Sequence, residues 1–295
     1  MEIGAVIVNH NAGASLSACV ESLHGAGLRQ IVIIDNDSTD DSLAIVAQIH
    51  PEVTVVSTGK NPGYGSAVNH GRQLLSTEFL FICNPDLEVD ERAPGYLVSD
   101  LLADPQLAIV GPEIQEISGA IYPSSRAFPR ITDAFGHAML AMFWPSNRFS
   151  RRYRREEVDP HVEVGSRDDR ELLAPPLPVD WVSGAAMMAR TSAFDQVSGF
   201  DEGYFMYVED LDLCWRLHAA GWGIGYEPRA RVVHQGGLSS RRHPYRMLRA
   251  HHASTWRFAR RSLKGPQRLL LPLIGAGIIA RFAIASVRQA VTAHA

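Results

Sequence analysis

Short apolar runs recur through the first third of the chain, each followed by a polar turn and a stretch of helical periodicity. Residues 3–8 precede a helical stretch at 15–24, and residues 31–34 precede the acidic segment DNDSTDDS and a second helical stretch at 43–49. Residues 53–57 lead through a glycine-rich loop to a helix expected over 66–75, and residues 79–83 read as a further strand. Strand alternating with helix is the pattern of an α/β fold: an open, Rossmann-like, mostly parallel sheet with helices on both faces.

Polar residues gather after the C-terminal ends of these strands, at Asn9-His10-Asn11, at 35–40, at 61–65 and at 84–86. In open α/β sheets that edge is where ligands bind. Four clusters at one edge weigh more than any single motif.

Composition sets the remaining bounds. With 46% hydrophobic and 20% charged residues, the 295-residue chain can fill a core and is not wholesale disordered. Cys19, Cys83 and Cys214 are too few and too scattered for a disulfide framework or a zinc site, which fits a reducing compartment. No basic region precedes the first apolar run, so no signal peptide is expected and the protein reads as not exported. The net charge of −4 conceals a polarity. The first 227 residues hold all 32 acids against 15 bases, and the other 13 bases follow Glu227 without one acid. An acidic body is thus joined to a segment suited to an anionic surface, either nucleic acid or phospholipid.

The strand–helix pattern dissolves from about 135 to 178, which reads as a mobile insertion. A second structured block spans 179–230, and a basic, helical segment occupies 238–295. The expected division is therefore an α/β domain over 1–237 and a C-terminal segment beyond it.

Several motifs carry chemistry. In DNDSTDDS, Ser38 and Asp41 read as a capping box, whereas Asp35 lies before the cap at a strand end, where a carboxylate can accept a hydrogen bond from a nucleobase imide or ribose hydroxyl. In NPGYGSAVNHG, Gly63 and Gly65 precede a helix and permit close backbone approach to a phosphate or sugar, or simply form a loop. Asn69, one turn further, can donate and accept toward the same ligand. FICNPD ends a strand with Asn84, Pro85 and Asp86; amide and carboxylate can hold a hard divalent cation, and the same residues make a good turn.

The stretch GFDEGYFMYVEDLDLCWR places Glu209, Asp210 and Asp212 at the start of a helix expected over 209–220, with Gly221 at its C-terminal cap. A first turn favours negative charge, which alone accounts for acids there. Asp212 and Arg216 have i,i+4 spacing, so Asp212 reads as structural. Asp210 has Cys214 four positions on and no cation, which leaves its charge to a substrate.

Together, VIVNHN, IIDNDSTD, NPGYGSAVN, FICNPD, WVSGAAMMAR and GFDEGYFMYVEDLDLCWR occur in the order found in family 2 glycosyltransferases of the GT-A fold, and the chain resembles that family over about 1–237. The resemblance implies that Asp210 is the catalytic base of inverting transfer, beside Glu209. It places Asn9, Asp35, Asp37, Asn61, Gly63, Gly65, Asn69, Asn84 and Asp86 around a nucleotide-sugar donor, and Trp181, Gly184 and Ala185 on the acceptor side. Asn84-Pro85-Asp86 stands where the family has an Asp-x-Asp metal motif, so Asp86, with His234 of RVVHQGG, is expected to hold Mn²⁺ or Mg²⁺. Within the family the chain is most like rhamnosyltransferases that extend a diphosphate-linked polyprenol. That implies L-rhamnose transfer from dTDP-L-rhamnose to an N-acetylglucosaminyl-diphospho-polyprenol in cell-wall assembly. Another hexose, or a catalytically silent scaffold of the same fold, is the alternative.

The tail carries nine bases between 241 and 268, interleaved with Tyr245, Trp256 and Phe258, and then an apolar stretch at 269–280 broken by Pro272 and followed by Arg281. A span needs about 20 apolar residues, so the expectation is amphipathic helices lying peripherally on the cytoplasmic face of an anionic membrane, not a transmembrane helix. The alternative buries 269–279 against the body or a second subunit of a homodimer. Nucleic acid is disfavoured, since it leaves the apolar stretch without a partner.

Overall fold

The computed structural model describes residues 2–128, 176–235 and 244–293. Four parallel strands open the chain: β1 (Ile3–Asn9), β2 (Gln30–Asp35), β3 (Thr54–Ser57) and β4 (Phe79–Cys83). Between them run α1 (Ser15–Gly25), α2 (Ser42–Ile49) and α3 (Tyr64–Gln73). Next come β5 (Leu87–Val89), α4 (Ala93–Ala103), β6 (Leu107–Glu116), β7 (Ile121–Tyr122) and β8 (Ser125–Arg126). After the undescribed stretch follow β9 (Leu177–Val179), β10 (Trp181–Val182), β11 (Ala186–Arg190), α5 (Thr191–Gln196), α6 (Glu209–Ala219) and β12 (Gly223–His234). Two C-terminal helices, α7 (Pro244–Ser262) and α8 (Leu271–Ala293), flank a 3₁₀ helix at Gly265–Leu270.

The main sheet runs β3-β2-β1-β4-β11-β6-β12-β5, with β11 and the edge strand β5 antiparallel to their neighbours. Strand alternation divides the core. Ala5 and Ile7 face α1 and α4 through Leu16, Val20 and Leu97, whereas Val6 and Val8 share a cluster with Val68 of α3 and Leu213 and Leu217 of α6. β1, β2 and β4 are buried on both faces, which explains their unbroken apolar runs. The side-chain period of two then fixes the register, since a one-residue slip would exchange the two cores.

The expected strands and helices of the first 83 residues form, with ends shifted by one or two residues. The expected helix of the acidic stretch also forms, and Gly221 follows it at φ +93°, donating to His218 O as a left-handed terminator. The capping box is different. Ser38 Oγ accepts from Asn9 Nδ2 and the Asn11 N–H, and it is Asp40 that accepts from Ser42 N–H at the head of α2. Ser38 is recruited to join two strand ends, so it cannot cap.

Most of 135–178 lies outside the described residues, as does the expected boundary at 237–238. At the end of that segment, Leu177 and Pro178 belong to β9, which pairs with β12. All three cysteines are buried and free.

The tail departs further from expectation. Pro272 falls in the first turn of α8, where a missing N–H costs nothing, and the helix runs past Arg281. Residues 265–289 have a mean hydropathy of 2.0 over their most apolar window, none of it buried, which is long and apolar enough to cross a membrane by length and composition. The expectation of a stretch too short to span is thereby corrected. Burial against the body is also excluded for this stretch: Leu269 is 83% and Ile279 71% exposed. Instead α8 lies beside α7, with the His252 and Phe282 rings 5.4 Å apart and Gly275 against Trp256.

Candidate active site

The polar clusters converge at the edge where β1, β2, β4 and β12 end. Asn9 is fully buried; its Nδ2 donates to Asp35 Oδ1 at 2.8 Å, to Ser38 Oγ and to Ser42 Oγ, while its Oδ1 is buried without a partner. Asp35 Oδ2 accepts the Ser38 N–H. Both Asp35 oxygens are thus engaged internally, locking β1 to β2. Asp37, at φ +65°, stands exposed on the loop beyond. Asn36, which sequence reasoning did not single out, is buried and donates to Gly63 O at 3.3 Å, leaving its own Oδ1 unpartnered. Two amide oxygens at one strand edge are thus buried without a protein donor.

The loop 61–65 is shaped by the chain itself. Asn61 Oδ1 accepts from the Gly63 N–H. Gly63 sits at φ +105°, and a Cβ there would strike the Phe205 backbone; one at Gly65 would strike the Phe200 side chain. The close approach expected for a ligand is made by the segment leading into α6. Asn69 is likewise consumed: it donates to Phe200 O and Glu202 and accepts from Phe200 N–H. It clasps two segments, so it has little left to offer a ligand.

At the end of β4, Asp86 is buried and its Oδ1 lies 3.1 Å from His234 Nε2, with Asn84 Nδ2 3.5 Å from the same nitrogen. Gln235 N–H donates to Asp86 O, which holds β12 to this turn. Two ligands at adjacent vertices of an octahedral ion, each about 2.1 Å from it, stand about 3.0 Å apart. The Asp86 carboxylate and His234 imidazole therefore have the spacing of two ligands to one divalent ion, while Asn84 turns its amide nitrogen toward them.

The same turn reaches the acidic pair. Asn84 N–H donates to Ala185 O, and the adjoining Gly184 N–H donates to Asp210 Oδ2 at 2.9 Å. Asp210 Oδ1 accepts the Leu211 N–H, and Gly184 O accepts from Tyr64 Oη at 2.6 Å. Burial raises the Asp210 carboxyl above its ordinary value; the Gly184 and Leu211 N–H groups and the Arg126 guanidinium act the other way. Glu209, pushed up to about 8 by burial and then by the Asp210 charge, has a buried oxygen with no partner. The pair is thus asymmetric: Asp210 has two N–H donors for its charge, and Glu209 retains its proton near neutrality.

Asp210 is presented by strained backbone. Tyr207 and Val208 both lie at positive φ, +68° and +70°, a genuine outlier for β-branched Val208. Asp212 is structural, as its spacing predicted: fully buried, it accepts from Arg216 Nε at 2.7 Å, from Tyr204 Oη and from Arg261 of α7. Trp181 donates from its indole to Ala127 O, and the Arg126 guanidinium lies 5.1 Å over its ring. Arg126 and Tyr64 left no sequence signal. One lies on a two-residue strand, and the other reads as loop filler between glycines.

A mostly parallel sheet, with a carboxylate–imidazole set and the Glu209–Asp210 pair at one edge, is the architecture of a GT-A glycosyltransferase. A mannosyltransferase from Pyrobaculum calidifontis, solved with GDP-Man and Mn²⁺, superposes with a TM-score of 0.55 at 14% identity over 97% of this chain and 75% of that one. The profile of glycosyl transferase family 2 matches residues 5–167, and the chain belongs to that family. It is 35% identical over 266 residues to the N-acetylglucosaminyl-diphospho-decaprenol L-rhamnosyltransferase of Mycobacterium tuberculosis (strain ATCC 25618 / H37Rv), spanning 86% of this chain and 82% of the relative. Rhamnosyltransferase WbbL of Escherichia coli (strain K12) is 43% identical over 83 residues, 28% of this chain and 31% of its own.

Proposed function

We propose that the protein is an inverting, divalent-cation-dependent rhamnosyltransferase that moves L-rhamnose from dTDP-L-rhamnose to an N-acetylglucosaminyl-diphospho-polyprenol. The observation that carries the chemistry is the Asp210–Gly184–Ala185–Asn84 connection, which holds a half-buried carboxylate and a cation-ligand set on one rigid edge. The two rhamnosyltransferase relatives support the sugar, and the mycobacterial one supports the acceptor.

In this reading Asp210 takes the proton of the acceptor hydroxyl as its oxygen attacks the anomeric carbon from the face opposite the diphosphate. Protonated Glu209 limits the pair to one charge, at Asp210. Asn9 and Asp35 shape the strand edge that meets the base, while Asp37 and the backbone of loop 61–65 line the nucleotide. Asp86 and His234 would hold the cation, which when bound neutralises charge developing on the leaving diphosphate. Trp181 offers an aromatic face to the acceptor sugar. The α7–α8 pair lies on an anionic cytoplasmic leaflet through its basic face and the exposed side of α8. Incubation with dTDP-L-rhamnose and a lipid-linked N-acetylglucosamine diphosphate should yield a disaccharide lipid with inverted anomeric configuration by NMR. Transfer from another nucleotide sugar in its place would overturn the donor assignment.

A further inference from the structure

The basic residues of the tail divide into two groups. Arg257 pairs with Asp201 at 2.7 Å, and Arg261 pairs with Asp201 at 3.0 Å and Asp212 at 2.9 Å. These two guanidiniums neutralise acids of the body and are not simply presented outward. The Arg260 and Arg268 side chains have no ion pair or hydrogen bond among the described residues. All four line one cavity of about 730 Å³ between α7 and the loop before α6, which Trp256 and Leu271 also border.

Four guanidiniums face two carboxylates there, so the cavity carries a local excess of positive charge. Its position adds a second constraint. Its lining reaches Arg268 and Leu271, on either side in sequence of the exposed Leu269 and Leu270 where α8 begins, and the apolar window of that helix is wholly unburied. A site for a soluble anion has no use for that apolar rim. A phosphate on a lipid uses both: fork-shaped donors for its oxygens and apolar side chains for the tail attached to it.

We propose that this cavity binds the phosphate of a bilayer phospholipid headgroup, with Arg260 and Arg268 as the free donors and residues 269–271 entering the acyl layer. The inference rests on the reading that the α7–α8 pair lies on a membrane, and it adds a defined headgroup site to a diffuse attraction. Arg257 and Arg261 preorganise the site, because their pairing with Asp201 and Asp212 fixes α7 against the body.

Two measurements on the full-length protein separate the site from the attachment. Calorimetric titration with soluble dihexanoyl phosphatidate should show saturable binding that Arg260→Ala/Arg268→Ala weakens by roughly tenfold or more. Arg260→Lys/Arg268→Lys keeps the charge and loses the fork, and should recover only part of that loss. Inorganic phosphate should bind much more weakly than the lipid; equal affinity would make this a site for free phosphate and overturn the proposal. So would wild-type affinity in either double variant. Flotation with phosphatidylcholine vesicles, with and without phosphatidic acid, reads the attachment itself. Flotation without saturable phosphatidate binding removes the headgroup site and leaves the membrane reading standing. Saturable binding without flotation removes the membrane reading and, with it, the bilayer headgroup site.

Discussion

Gly184 donates its backbone N–H to Asp210 Oδ2 at 2.9 Å, so the carboxylate at the head of α6 is fastened to the turn that opens β11. A Cβ at position 184 would stand 3.3 Å from the Asp210 Cβ, which leaves little space between the two segments. The proposed base is therefore held in place before any substrate arrives.

Asp210→Asn should lower transfer by roughly 10²–10⁴-fold and leave nucleotide-sugar affinity unchanged, because the amide retains the shape and loses the basicity. Turnover with the lipid acceptor and calorimetric donor binding check the two halves. Retention of more than about a tenth of wild-type turnover would remove Asp210 as the base.

Asp86→Ala should abolish calorimetric Mn²⁺ binding in the presence of donor nucleotide. His234→Ala should weaken it less, since water and diphosphate oxygens can fill one vacated position. Excess chelator should silence the wild type; full activity in chelator would break the assignment of Asp86 and His234.

Glu209 gives the fold a pH signature. Its pKa is raised from 4.5 to about 8 in the folded protein, so between those values the folded state binds the extra proton. Its contribution to stability is complete below about pH 4.5 and is lost as pH rises through about 8. The thermal midpoint, followed without added metal, should fall across that window. Glu209→Gln should flatten the fall, and an unchanged slope would contradict a buried, protonated Glu209.

Asp212→Ala should destabilise the fold by about 3–5 kcal/mol in urea unfolding, because it strands the partly buried Arg216. Arg261→Ala should cost much less, since Arg261 is 36% exposed and Arg216 still pairs with Asp212. Equal losses would show that α7, not α6, dominates the network.

Deletion after Lys264 removes the 3₁₀ turn and α8 while sparing Ser254, Arg257 and Arg261, which bind α7 to the body. The shortened protein should remain folded, leave anionic vesicles, and lose more activity on long-chain acceptors than on short soluble ones. Undiminished vesicle binding would assign attachment to α7 alone. Deletion after Pro244 is a poorer experiment, for it deprives buried Asp212 of one of its two arginines.

The parallel half of the sheet is legible in the sequence because β1, β2 and β4 are buried on both faces and its strands are flanked by short turns. Asp212 was legible for a similar reason: its partner is four residues away on the same helix. The contacts of Asn69, Gly63 and Gly65 with Phe200 and Phe205 are not legible, because those partners lie over 130 residues distant. Arg261 looked like one more surface base, and only the packing of α7 on the loop after Gly199 shows it neutralising Asp212. Local spacing reports local pairs; contacts closed by the tertiary fold leave no comparable trace.

The loop at 203–208 is held from two sides. Tyr64 N–H donates to Phe205 O from the donor loop, and Ser254 Oγ donates to Met206 O from the tail. One short segment thus joins the loop before α3 to α7. On the membrane reading, the height of the cleft above the bilayer is set by the protein and not by the acceptor. The fold then acts as a ruler: an acceptor bearing its first sugar at the matching height can react, and a chain already extended by further sugars overshoots the mark.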